Sequence, residues 1–371
     1  MLVELAREFA DDELIPNAEK WDAEGTFPKE AIDKAREMGL LNCTIPEAYG
    51  GMGLSFLEEA MINEELGRGD PGFATITGVT MLACHPVIFA GTDEQKAKYL
   101  GRVVNGEISS YCVTEPGAGS DVKSISTTAV LEGDNYVING AKMWIGGAGY
   151  ADWFYVLART DDTDSYDSFS GFIVEANSEG LEVGKKENKM GQRCSDTRGV
   201  RFHNVKVPKE NLLGGKEGGG WLQAMVAFDR CRPMLSSHAL GNARGAMEEA
   251  WQYSNERMTF GKPIFEHQSI SFMLADMSTK IECARLLTYK AAHLLDKGER
   301  ATLESAHAKR YAADIGMEVT TDAVQIFGGY GYSEEFPVAR RMRGAKIYQI
   351  FGGSSQIQRL IIGRELNKKY K

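Results

Sequence analysis

The sequence predicts a mostly α-helical protein built around a central β domain. Three observations carry that expectation: residues 1–110 read as helices, residues 111–215 as short strands, and residues 216–371 as helices again. In the first block Leu57, Ala60 and Met61 recur at helical spacing, with Ile62 and Leu66 one row over, and Gly67 is placed as the C-cap glycine. In the second, the β-prone runs Tyr136–Ile138, Trp153–Leu157, Gly171–Val174 and Val200–Phe202 are punctuated by Gly, Asp, Ser and Asn. The clearest linker is Gly214–Gly220. Beyond it Ile270, Leu274, Met277, Ile281, Ala284 and Leu287 form one apolar stripe ending near Gly298, read as core or subunit interface.

The chain has 371 residues, 43% hydrophobic and 25% charged, an ordinary balance for a globular protein with a sizeable core. A net charge of −10 argues against a nucleic-acid or anionic-membrane partner. It leaves room for an anionic ligand, because helix N-termini and local basic groups hold phosphates inside acidic proteins. The apolar runs are read as too short for the ~20 residues that span a bilayer. The start, Met1-Leu2-Val3-Glu4, has no basic segment followed by an apolar one. The six cysteines stand at 43, 84, 112, 194, 231 and 283, without CxxC spacing. No disulfide or metal framework is expected, and a cytoplasmic location fits.

Glycine carries the chemical signal. No GxGxxG follows a strand and opens a helix, so a Rossmann site is poorly supported. In Tyr111–Asp121 the small residues let backbone N–H groups approach a ligand, and Thr114 and Ser120 add hydroxyls; a Pro-Gly turn is the other reading. Two further clusters lie at Gln325–Tyr332 and Phe351–Arg359. Glycine weakens a helix by about 1 kcal/mol per residue, so three clusters point to backbone lying against a flat or phosphorylated ligand, or to three helix caps. No nucleophile–His–Asp set and no HExxH accompanies them.

Together with Asn139–Ile145 and Arg257–Gly261, these segments resemble the signatures of the acyl-CoA dehydrogenase family, in the family's order and over essentially the whole chain. Met190–Gly199 is most similar to the medium-chain members. The resemblance implies a helical N-terminal domain, a barrel-like middle domain and a C-terminal helical bundle. It also implies FAD as cofactor, an acyl-CoA substrate, a homo-oligomer (a tetramer) and re-oxidation by an electron-transferring flavoprotein. Tyr111, Val113, Thr114, Gly119, Ser120, Trp144, Ile145 and Gly146 match positions that border the flavin. Arg257, Thr259, Phe260, His267 and Gln268 match residues that hold FAD across a subunit interface, and Gln325, Gly328 and Gly329 match those of the neighbouring chain. Ser354 and Gln356 match further flavin contacts, while Ser120, Asp229, Cys231, Arg232 and Gly353 match the thioester side.

Three departures from the family stand out. The family's glutamate base is here Gly352, whose backbone N–H still matches the donor to the thioester carbonyl. Cys231 occupies the base position used by other relatives, and is read as packing or pocket wall. Gly146 replaces the usual Thr or Ser beside flavin N5, which is expected to open space above the ring, and Gly78 replaces a larger pocket residue. These changes imply a site rebuilt for a cyclic, branched or unsaturated acyl-CoA, with a base other than the usual glutamate. Alternatives are a redox-neutral lyase such as a desulfinase, an enoyl-CoA reductase, and a CoA- or flavin-binding homologue without turnover. Thr75–Phe89, where a relocated base is expected, holds only Cys84 and His85 as near-neutral titrating groups, and no arginine.

Overall fold

A computed structural model describes residues 1–371. The chain opens with α1 (Leu2–Phe9), which passes through a π-helical stretch into α2 (Ile15–Glu24). Then come α3 (Lys29–Glu37), α4 (Phe56–Gly69), α5 (Pro71–Ala90) and α6 (Asp93–Val104). Seven strands follow: β1 (Ser109–Cys112), β2 (Thr128–Glu132), β3 (Asn135–Gly146), β4 (Trp153–Arg159), β5 (Phe169–Glu175), β6 (Leu181–Lys186) and β7 (Thr197–Pro208). They form one curled sheet in the order β1-β4-β2-β3-β7-β6, with β5 also paired to β4. The last third comprises α7 (Gly220–Glu256), the hairpin β8 (Met258–Thr259) and β9 (Lys262–Pro263), α8 (Gln268–Asp296), α9 (Thr302–Phe327), α10 (Pro337–Ala345) and α11 (Ser355–Lys369). Helices thus flank a central sheet, as the periodicities predict.

Helix α4 crosses α7 with their backbones in contact. A Cβ on Gly67 would lie 2.6 Å from the His238 carbonyl, and one on Gly241 would run into the Glu64 carbonyl. Gly67 is therefore an interior residue of α4 and not its C-cap: the helix continues to Gly69, and Asp70 starts α5. Around this crossing Glu64 and Glu65 are buried, a feature that the apolar pattern of α4 did not announce. Glu64 accepts from Arg244 (2.7 Å), Arg285 (2.8 Å) and Tyr289 (3.0 Å), and Glu65 from Arg7 (3.0 Å) and Arg244. Each carboxylate is shared by donors from separate helices, which ties the first helical layer to the last.

Helix α5 qualifies the membrane expectation. It is 20 residues long, and its most apolar stretch has a mean hydropathy of 1.6, long and apolar enough to span a bilayer by those measures; 72% of that stretch is buried within the fold. The glycine-rich segment before α7 is likewise a packed turn, not a loose tether. Gly214 N–H donates to Gln95 (3.0 Å) and Gly218 N–H to Ser170 (3.0 Å).

The turn after β1 is anchored by a buried ion pair. The Lys142 ammonium donates to Glu115 (2.9 Å) and to the carbonyls of Val113 (3.1 Å) and Leu157 (2.7 Å). Glu115 also accepts from the backbone N–H groups of Ser126 (2.7 Å) and Thr127 (3.0 Å). Burial pushes the Glu115 carboxyl up, but the Lys142 charge and these donors overcome it and hold the group at about 2. Removing one partner of such a pair leaves an uncompensated buried charge and costs about 3–5 kcal/mol. Glu115→Gln is therefore expected to lower the unfolding free energy by about that amount in denaturant titrations, with Lys142→Met less harmful when combined with it than alone.

Candidate active site

The glycines read as ligand-facing divide into two groups. Arg257, Thr259, Gly328 and Gly329 line one hollow of about 440 Å³, together with Tyr253, Ile264, Ile326, Phe327 and Tyr330. Arg257 caps the end of α7, Thr259 lies on the β8–β9 hairpin, and the two glycines follow the end of α9. A Cβ on either glycine would meet nothing within 4 Å, so bare backbone faces open space there. Arg257 lies over the Tyr330 ring (5.8 Å), and Thr259 bonds His267 (3.1 Å), which starts α8 just before Gln268. Phe260, at φ 49°, is 97% exposed, and Gln325 is exposed beside the same glycines.

The second group lies where β1 and β3 meet α5 and α7. Tyr111 is buried, stacked on Tyr155 (5.1 Å) and edge-on to Phe228 (5.6 Å). Val113 is buried, Thr114 accepts from Met143 N–H (2.9 Å), and Gly119 and Ser120 are exposed. Trp144 is held at φ 63° and is 60% exposed, a conformation and position that leave its ring face free, while Ile145 is buried. A flat polycyclic cofactor with phosphates fits these features: open aromatic faces, unobstructed Gly117 and Gly119, and the glycine hollow with its arginine.

At the inner end each departure glycine is opposed by a side chain. Gly146 does not open space: a Cβ there would lie 2.9 Å from Val79 Cγ2 of α5. Gly78 is filled in the same way by His238 Cε1 (2.9 Å) and Met234 Cε (3.0 Å). Gly352, at φ 62°, faces Leu235 Cδ1, 2.5 Å from where its Cβ would be. Val79, Leu235 and the Met234/His238 pair were not singled out in the sequence, because each reads there as ordinary helix core.

The polar groups nearby are paired or kept neutral by burial. Asp229 accepts from Arg232 and from Thr302 (2.8 Å). Cys231 is fully buried among core side chains, and burial pushes its thiol up to about 12, so it has no basic character at neutral pH. Burial lowers His85 to about 3, leaving a neutral ring stacked on Phe56 (6.2 Å). Cys84 is pushed up to about 12, also by burial. Ser354 caps α11 by accepting from Ile357 N–H (3.2 Å), Gly353 continues the turn at φ 84°, and Gln356 is exposed.

Comparison with known proteins places the chain in a class. The family profiles described as the acyl-CoA dehydrogenase N-terminal, middle and C-terminal domains match residues 1–107, 110–205 and 218–367. The chain belongs to the acyl-CoA dehydrogenase family; it is an FAD-dependent acyl-CoA dehydrogenase-type oxidoreductase. It is 45% identical over 97% of its length to a Caenorhabditis briggsae protein described as "Probable medium-chain specific acyl-CoA dehydrogenase 2, mitochondrial", of which it covers 88%. It is 41% identical over 100% of its length to the cyclohexane-1-carbonyl-CoA dehydrogenase of Geobacter metallireducens, covering 97% of that protein. The structure of butyryl-CoA dehydrogenase from Megasphaera elsdenii superposes with a TM-score of 0.96 at 42% identity, covering 99% of this chain and 97% of the other.

The Gly146–Val79 contact makes a direct prediction. Gly146→Ser alone forces overpacking, which costs typically about 1–3 kcal/mol, and is expected to lower FAD retention through gel filtration. Adding Val79→Ala removes the opposing methyls and should restore the visible flavin absorbance per chain. Equal retention in the single and double variants would show that Val79 does not obstruct position 146.

Proposed function

We propose that this chain oxidises an atypical acyl-CoA, cyclic, branched or already unsaturated, and that a base other than the family's glutamate takes the proton. One observation carries the reading: position 352 has no carboxylate, and a side chain there would have to displace Leu235. Its left-handed backbone disfavours any side chain by about 1–2 kcal/mol, and Leu235 fills the path a side chain would take. The neighbouring Asp229 is held by Arg232 and Thr302 and is not free to substitute.

In this reading the Gly352 N–H donates to the thioester carbonyl, which withdraws charge from the adjacent carbon and acidifies its C–H. Leu235, Phe351 and Val79 surround that carbon with hydrocarbon and exclude water, which strengthens the carbonyl contact. Asp229 and Arg232 hold the polar part of the thioester arm at the mouth of the pocket. FAD would be held by the Tyr111–Ser120 turn, Trp144 and the Arg257/Gly328 hollow, and when bound supplies the hydride acceptor. Ordinary desaturation of a straight chain lacks its proton acceptor here, and a positioned base is typically worth about 10²–10⁴-fold in rate.

We also propose a homo-oligomer, a tetramer, in which Arg257, Thr259, Phe260, His267 and Gln268 serve a cofactor shared with Gln325, Gly328 and Gly329 of a second chain. Exposed apolar side chains support it, notably Phe272 (58%), Leu286 (69%) and Leu360 (68%). Six free thiols fit a cytoplasmic setting, and family membership favours an electron-transferring flavoprotein as oxidant.

Two measurements test this reading. In anaerobic mixing, butyryl- and octanoyl-CoA are expected to bleach the flavin about 10²–10⁴-fold more slowly than the best cyclic or branched thioester of a panel; fast bleaching by both linear chains would sink the proposal. Gly352→Glu alone is expected to give no gain in single-turnover reduction by butyryl-CoA, because Leu235 blocks the new side chain. Gly352→Glu with Leu235→Ala should raise that rate at least tenfold over the Leu235→Ala single variant.

A further inference from the structure

Lys309 lies on α9, is 2% exposed, and forms no ion pair with any carboxylate of the chain. Its ammonium donates to the carbonyls of Tyr348 (2.6 Å) and Gly353 (2.7 Å), one at each end of the turn that presents Gly352. Its Cε lies 3.8 Å from where a Cβ on Gly352 would be. A buried ammonium is expensive unless compensated, and the groups that accept from this one are backbone carbonyls. The turn has a second tether: the Gln358 amide donates to the carbonyls of Gly352 (3.2 Å) and Gly353 (3.0 Å). That tether is neutral. Lys309 brings positive charge directly to the turn's backbone carbonyls.

We propose that Lys309 is a positioning residue for the thioester: it pins both ends of the Tyr348–Gly353 turn, so that the Gly352 N–H points at the substrate carbonyl, and lends that turn a cationic charge. The inference rests on the reading that the thioester carbonyl meets the Gly352 N–H. Hydrogen bonds from a charged donor are about twice as strong as neutral ones, and a cation behind the turn stabilises the negative charge that grows on the carbonyl oxygen.

The groups facing Lys309 set its protonation. Burial lowers it most, and the Arg232 guanidinium of α7 lowers it further. Asp314 of α9 acts in the opposite sense, while the facing Cys231 thiol of α7 is neutral in this range, and the balance falls at about 7. Asp314 is itself engaged by Ser355 (2.8 Å), Gln349 (3.1 Å) and Arg359 (2.6 Å), so it acts only through space. The charge is therefore present below about pH 7 and is lost as pH rises through it. Polarisation of a bound thioester follows the same course, strongest on the acid side.

The test uses the full-length, FAD-loaded protein and butyryl-CoA carrying carbon-13 at the thioester carbonyl, with isotope-edited infrared difference spectra recorded from pH 5.5 to 8.5 under anaerobic conditions. In the wild type the bound carbonyl band is expected well below its free frequency on the acid side, moving back as pH passes about 7. In Lys309→Arg, which stays charged throughout, the band should stay displaced with no step. In Lys309→Met it should lie near the free frequency at every pH, with butyryl-CoA affinity reduced about tenfold or more and FAD retained. A wild-type band that is displaced but does not move with pH overturns the proposal, as does Lys309→Met with the wild-type band and affinity. If Lys309→Met cannot hold FAD, the wild-type titration and Lys309→Arg decide alone: a step that persists in the arginine variant overturns it. A wild-type band undisplaced at all pH values overturns the thioester placement and this inference with it.

Discussion

The site depends on the backbone contact between α4 and α7. With glycine at 67 and 241 the two helices lie closer than side chains would allow, and Glu64 and Glu65 lock that spacing through arginines on three other helices. Because Asp70 ends α4 and caps α5 by accepting from Phe73 N–H (2.8 Å), the spacing is passed on directly to α5. Asp70 is also paired with Arg340 of α10 (2.8 Å), and Tyr348 donates to the Pro71 carbonyl (3.3 Å). Helix α5, helix α7 and the turn bearing Gly352 are thus three parts of one rigid frame. The distances between Val79, Leu235 and Gly352 follow from contacts made one or two helical turns away.

Within that frame the site has exchanged polar reach for hydrocarbon. Positions 146 and 352 are both glycine, and Val79 and Leu235 lie where their side chains would begin. The result is not an emptied pocket. It is a close-packed one in which the nearby titrating side chains are neutral by burial, committed to partners, or, like Lys309, placed behind the turn.

How much of this the sequence revealed depends on which residues carried each feature. The order of helices, sheet and helices was legible, because stripes such as Leu274–Met277–Ile281–Ala284 and runs such as Trp153–Leu157 have the periodicities of their elements. For the cluster at Gln325–Tyr332 both readings have a counterpart: Gly328 and Gly329 face open space as bare backbone, and Gly328 also caps α9. Gly67 misled, since a glycine near a helix end reads as a cap whereas this one marks a helix crossing. Gly146 misled in the same way, because the volume it frees is taken by a residue 67 positions away. Lys309 did leave a trace: it falls on the face of α9 formed by Ser305, Ala306, Ala312, Ala313 and Gly316, all buried. A charged residue at a core phase of a small-residue stripe is a signal that composition alone does not register.

The interlock of Gly146 with Val79 also constrains the routes by which this site can change. Enlarging position 146 first drives a new side chain into the Val79 methyls, and shrinking position 79 first leaves a void, so each exchange made alone is costly. The two exchanges are therefore coupled, each relieving the cost of the other. A lineage holding the present pair is separated from the hydroxyl-bearing arrangement by an intermediate that is poorer than either end. The pair behaves as a unit, and related chains should keep the two positions in step.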